Sequence, residues 1–238
     1  DYPSLLNLYI MRKKIIYFSF LFFALGFCFS QNTSIEYLVE KNGMRQLFTL
    51  DITGNKSLFY SNEYCNPEEM EIFNYVVIEN AEKGNYIFHD QIEILRVYYK
   101  QEITLKWKIT KDTKVVDNIV LNKATTSYKD KQWTAWYNPS IPLNFGPFIF
   151  GNLPGLIYEV NTDDFKITLA SIENKNKNCA KISNKEKPID KESYNKYNKE
   201  LLETLKAGYG KKTNVFDNMT MQSLFENSIK KDLFRELL

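Results

Sequence analysis

The sequence is nearly without histidine: His89 is the only one in 238 residues. Any Ser-His-Asp or Cys-His catalytic set, and any histidine-rich zinc site, would have to recruit it. Neither a nucleophile elbow nor metal-ligand spacing surrounds it. In YIFHD it ends a strand pattern beside Asp90, the place of a surface histidine at a strand end. A surplus of one charge is missing too, with 31 Lys and Arg against 29 Asp and Glu. Nucleic acids and anionic membranes select clustered cations that displace counterions, and here lysines alternate with acids, so neither is an expected partner. No Lys-Ser or Lys-Thr pair follows the glycines, so a phosphate loop is set aside. The adjacent acids Glu68–Glu69 and Asp163–Asp164 sit where carboxylates commonly solvate turns, and NTDD reads as hairpin chemistry. No pattern calls for a metal or a cofactor.

Cysteine is scarce as well, at three residues. Cys28 lies in MRKKIIYFSFLFFALGFCFSQN, which begins at Met11 with basic Arg12, Lys13 and Lys14, continues through an apolar run from Ile15 to Phe27, and reaches small Ser30 before Gln31. Basic, apolar and small-residue parts in that order make a secretory signal peptide. The apolar run is shorter than the ~20 residues of a membrane span, and no charged stop follows it. The expectation is export to the periplasm or cell envelope with cleavage near Ser30–Gln31, residues 1–10 lying upstream of the start, and no transmembrane span in the mature chain. LGFC resembles a lipoprotein cleavage box, but bulky Phe27 stands where a small residue is wanted. Removing residues 1–30 takes away Arg12, Lys13, Lys14 and Asp1, which leaves 28 charges of each sign. Cys65 and Cys179 are then the only thiols. Oxidising surroundings would let them pair; the alternative is two separate thiols, since no spacing dictates pairing.

What the chain does have is alternation. In ITLKWKIT, Ile103, Leu105, Trp107 and Ile109 point one way and Thr104, Lys106, Lys108 and Thr110 the other, giving a strand with one dry face. Similar runs are RQLFTLDI, KSLFYS, NYVVIE, YIFHD, EILRVYY, DNIVLNKATTSY and QWTAWYN, separated by turn-forming TGNK, EKGN, KDTK and YKDK. Connections this short join antiparallel neighbours. GLIYEV and DFKITLASIE add a hairpin across NTDD, for about nine or ten strands. The expected fold over residues 31–175 is mainly β, a curved antiparallel meander sheet or partly open barrel.

Residues 176–238 read as a polar connection and C-terminal helices. NKNKNCAKISNKEKPIDKES is rich in Lys and Asn and poor in core formers. Tyr194, Tyr197, Leu201, Leu202 and Leu205 then take helical spacing, with Asp190 placed to cap the start and Gly208 to end it. A stripe of Phe225, Ile229, Leu233 and Leu237 marks a further helix over about residues 221–237.

One stretch breaks the alternation. WTAWYNPSIPLNFGPFIFGNLPGLIYEV, residues 133–160, holds four of the seven prolines (Pro139, Pro142, Pro147, Pro154) and three of the nine glycines (Gly146, Gly151, Gly155). Each proline fixes φ and removes a donor, so residues 138–154 cannot be a helix interior or a central strand. A long loop carrying so many large apolar side chains is expected to fold back over the sheet as a plug or lid. Trp133, Trp136, Tyr137, Phe145, Phe148 and Phe150 can line a pocket for an apolar chain, a peptide or a sugar ring, or form plain core under a loop. With Pro142, Gly146, Pro147, Leu153, Pro154 and Gly155 they make the candidate lid or ligand-binding set. Trp133 and Tyr137 share one strand parity and Trp136 takes the other.

These residues resemble the GLPGLI family, also called Porph_ging, of Bacteroidota. NLPGLIYEV is similar to its namesake motif, and the resemblance extends through KAT, AWYNPSIPLNFGPFIF and, more loosely, KSLFYS and LKWKIT, over roughly residues 45–170. Two positions depart: Asn152 stands where the motif begins with Gly, and Leu121 stands where many relatives carry Cys. The resemblance implies an exported protein with no established activity. The expected function is a binding or assembly module for an apolar ligand or another envelope protein. The alternatives are a hydrolase-like enzyme using Tyr137, Lys123, Asp164 or His89, and a structural partner of an outer-membrane protein that uses its edge strands or C-terminal helix.

Overall fold

A computed structural model describes residues 32–41, 43–65, 76–82, 84–92 and 95–208. The signal-peptide segment, the Glu68–Glu69 pair and the stripe over 221–237 lie outside the described residues.

Strands β1 (Asn32–Lys41), β2 (Met44–Thr53), β3 (Lys56–Ser61), β4 (Val76–Glu82), β5 (Asn85–Ile92) and β6 (Leu95–Glu102) form one meander. A second comprises β7 (Lys108–Val116), β8 (Ile119–Tyr128), β9 (Lys131–Asn138), β10 (Leu156–Asn161) and β11 (Phe165–Glu173). Two-residue β12 (Lys187–Pro188) and helix α1 (Lys191–Gly208) follow. Antiparallel pairing of β1 with β11 fuses both meanders into one 12-stranded sheet, in the order β12-β6-β5-β4-β3-β2-β1-β11-β10-β9-β8-β7. The fold is thus mainly β and antiparallel, except for the parallel β12–β6 pair. Two strands were absent from the sequence runs. One is β12; the other is β1, whose inward Ile35, Tyr37 and Val39 place it at the centre of the sheet.

The sheet must curl. Eleven strands laid flat would hold their outer axes about 48 Å apart. Yet β6 and β7, near opposite ends of the order, are joined by residues 103–107 alone, which reach roughly 20 Å at most. Connectivity therefore forces the two ends together and creates an inside.

This joint corrects one expectation. ITLKWKIT is not one strand: residues 103–107 cross between the sheet ends without a ladder, while keeping alternate burial. KDTK is not a turn but the middle of β7, where the register with β8 shifts between Ile109 and Thr113. The hairpin turns at Asp117 (φ 49°) and Asn118 (φ 64°) instead. Two left-handed residues match the twist of paired strands, and Asp and Asn tolerate that region better than Lys or Thr. Lys129 and Asp130 turn the next hairpin in the same way, as YKDK leads one to expect.

Residues 174–190 are solvated on one side, yet pinned to the outer face on the other. Buried Asp51 of β2 accepts hydrogen bonds from Ser34 Oγ, Tyr60 Oη (2.5 Å), the Asn178 amide (2.9 Å) and the Lys177 amide (3.3 Å). A disulfide joins Cys65 to Cys179, and Ala180 packs with Tyr60 and Val77. The chain then turns round the sheet edge. Lys187 and Pro188 pair with Val97 and Tyr98 of β6, and the Ile189 amide donates to the Tyr98 carbonyl at 2.9 Å. Asp190 caps α1 by accepting from the Ser193 amide at 2.8 Å. From α1, Tyr194 enters the inner core, packing its ring at a tilt against Tyr99 and donating to buried Asp90 at 2.6 Å.

Candidate functional site

The proline-rich stretch between β9 and β10 lies inside the curl. Its backbone satisfies itself, as a buried loop must: the Asn152 amide donates to the Asn144 carbonyl (2.7 Å), Leu156 to Ile141 (2.9 Å) and Phe150 to Pro147 (2.9 Å). Side chains from distant strands complete the job. Tyr86 Oη of β5 donates to the Ile149 carbonyl at 2.9 Å, Trp107 Nε1 to Gly151 at 2.9 Å, and Tyr37 Oη of β1 to Ile157 at 3.0 Å. Burial, with Tyr128 nearby, pushes the Tyr86 phenol up to about 12. Burial raises Tyr37 as well.

Glycine is required where the plug is tightest. A Cβ on Gly146 would lie 1.7 Å from the Phe150 carbonyl oxygen, and one on Gly155 (φ 151°) 2.2 Å from that of Asn138. Asn152, at the position where the family motif begins with Gly, has φ 66°. The departure keeps the left-handed backbone, since Asn is among the few residues that enter it readily.

The candidate lid residues divide into three groups. Phe148, Phe150 and Leu153 are buried with Trp133 and Tyr137 in one core, together with Gly146, Pro147 and Gly155. The Phe150 ring centre lies 4.5 Å from that of Trp133 and 6.1 Å from that of Phe148. Phe145 is half-buried, and Pro142 and Pro154 are exposed. Trp136 is half-buried on the opposite face of β9, with the Lys114 and Lys123 ammoniums 4.7 and 5.8 Å from its ring centre. Beside it Glu159 binds Lys114 at 3.0 Å. Burial raises the Glu159 carboxyl, but Lys114 and Lys166 outweigh it and hold the group below its usual range. Two surface grooves, of about 700 and about 520 Å³, lie at hairpin ends, and neither is lined by plug residues.

The four groups proposed for a hydrolase are each engaged elsewhere. Tyr137 is in the core, Lys123 binds Asp112 at 3.1 Å, and Asp164 binds Lys131 at 2.9 Å. His89 corrects its expectation: it is 4% exposed, not a surface residue. Its Nδ1 lies 2.6 Å from Glu186 and its Nε2 3.6 Å from Glu79, so the ring pins residues 174–190 to the sheet. Sequence reasoning missed this clamp and the Asp51 clamp because Asp51 and His89 meet partners 127 and 97 residues away, at no regular period. Among the described residues no cluster of three or more His, Cys, Asp or Glu could hold a metal ion, and no helix is long and apolar enough to cross a membrane.

Fold and site together define a class: a curled antiparallel sheet plugged from within and clamped from without. Residues 84–159 match the family described as "Protein of unknown function (Porph_ging)", the same family that the NLPGLIYEV stretch resembles. The segment runs from β5 into β10 and contains the whole plug. No curated protein matches the chain. Two solved structures of PNGF-II, in its C2 and P21 space groups, are similar in fold, with TM-scores of 0.56 and 0.57 at 18% identity. The similarity covers 70% of this chain but 32% and 33% of theirs, so the chain spans about a third of their length.

Proposed function

We propose that the chain is an exported module of the cell envelope that acts by docking a partner protein on its surface. The observation that carries this reading is the plug. Trp133, Ile149 and Phe150, none more than 1% exposed, occupy the inside of the sheet, so the space an apolar ligand would take is filled by the chain itself. The basic, apolar and small-residue order at residues 11–30 supports export. So does the Cys65–Cys179 disulfide, a bond that persists in oxidising compartments. A fold that makes up about a third of PNGF-II also suits a module.

Photo-crosslinkable residues placed over the exposed faces of β7 and β8, in the full chain and in the cells that make it, test the reading. The expected result is a discrete adduct with one protein in the envelope fraction. Retention of the chain in the cytoplasm would overturn export. Native mass spectrometry showing a stoichiometric lipid would restore the apolar-ligand reading, and the lack of an adduct at every position would sink docking.

A further inference from the structure

The two edges of the sheet are treated differently. At one, β12 pairs with β6 and the chain covers its own edge. At the other, β7 pairs only with β8 among the described residues. Exposed edges invite pairing, and proteins commonly cover or blunt them.

The geometry of β7 shows what it offers. Asp117 and Asn118 form a two-residue turn, so Val116 and Ile119 are a hydrogen-bonded pair and Val115–Val120 the next, non-bonded one. The amides and carbonyls of Val115 and Thr113 therefore point outward from the sheet. Val115 is 67% exposed and Val120 54%, an apolar tip on the edge. Lys111 within the bulge and Lys108 beyond it are exposed, with Lys106 just before the strand, and none of the three ammoniums has an acid partner among the described residues. Asp112 of β7 is taken by Lys123, and Glu159 of β10 by Lys114.

We infer that the free edge of β7 receives a short extended segment of another protein, apolar at its start and acidic at its end, added antiparallel to β7. Main-chain hydrogen bonds at Thr113 and Val115 hold the added strand, the valine tip meets its apolar start, and the unpaired lysines select its acidic end. The bulge limits regular pairing to the tip, so the added strand is short. A second copy of this chain would bring lysines against the same edge, so charge favours the acidic partner. The inference rests on the docking reading and names its surface and partner chemistry.

The test uses the oxidised full chain and two fluorescent peptides, Thr-Val-Thr-Val-Gly-Glu-Glu and its Lys-Lys counterpart, followed by anisotropy at low salt. The acidic peptide is expected to bind at least about tenfold tighter. Lys108→Glu with Lys111→Glu should reverse that order. Val115→Pro removes an outward donor without touching the β7–β8 ladder, and should abolish binding of both peptides. If it fails to fold, the charge reversal still decides. Equal binding of the two peptides, or full binding to a folded Val115→Pro variant, would overturn the inference. So would a dimer that Val115→Pro dissolves, which would assign the edge to a second copy. Failure here with envelope adducts mapping to another face would sink this edge and spare the docking reading; no adduct anywhere would sink both.

Discussion

The plug over residues 139–155 and the strap over residues 174–190 cover opposite faces of one sheet, neither as a regular ladder, and they are held by opposite means. The plug is apolar: Phe148, Ile149, Phe150 and Leu153 are each no more than 3% exposed, and burying such a side chain is worth roughly 1.5–3 kcal/mol. The strap offers Ala180 as its one buried apolar residue before Tyr194. It is fixed by a disulfide, by Asp51 gathering two backbone amides, and by Glu186 on His89. A segment can be placed by its own side chains or by a few directional partners, and only the first way leaves a mark in composition.

The largest effect that sharpens this contrast is expected in the plug. Phe150→Ala should cost ~3–5 kcal/mol in denaturant unfolding, as deletion of a buried ring does. A cost below ~1 kcal/mol would mean the ring is not core. Trp136→Ala, on the other face under two lysines, should cost clearly less.

Replacing Cys65 and Cys179 by Ser should cost about 2–5 kcal/mol. Hydrogen exchange should show the Asn178 and Ile189 amides losing protection while Asn152 in the plug keeps its own. Equal loss in both would make plug and strap one cooperative unit.

The two coverings should also fail at opposite ends of the pH scale. Tyr86 titrates near 10.0 unfolded and is raised to about 12 in the fold, so its contribution is complete below pH 10 and disappears as pH rises through about 12. That loss is on the order of 2–3 kcal/mol. Glu36, hydrogen-bonded to strap residue Lys177 at 2.6 Å, is lowered, chiefly by that bond. Its contribution is present above the ordinary Glu range and lost as pH falls through the lowered value. Ultraviolet tyrosinate absorbance with circular dichroism follows the first change, and hydrogen exchange of strap amides the second. Strap release by alkali before the plug loosens would break the pairing.

The smallest effect concerns Asn152. Asn152→Gly should shift stability by less than about 1 kcal/mol, because relief of the left-handed backbone opposes the added freedom of the unfolded chain. Asn152→Val should destabilise more, since a branched side chain resists that φ.

Much of the sheet was legible because strand burial has a period of two. KSLFYS is β3 to the residue, and QWTAWYN falls within β9 with Trp133 inward and Trp136 outward. Alternation alone could not tell a paired strand from an extended crossing. ITLKWKIT kept its period through Trp107 while the ladder began only at Lys108. His89 was misplaced because nothing local announces a carboxylate 97 residues away.

The chain by itself determined the strands, most of their turns, the cap of α1 and the stiffness of the proline-rich loop, since each depends on φ preferences and side-chain periods within a few residues. Only the tertiary structure decided that β1 pairs with β11, that five residues draw the sheet ends together around the plug, and that Cys65, Asp51 and His89 fasten the strap. Those outcomes depend on which distant groups find each other once the sheet has curled, and loop closure over a hundred residues carries no local signature.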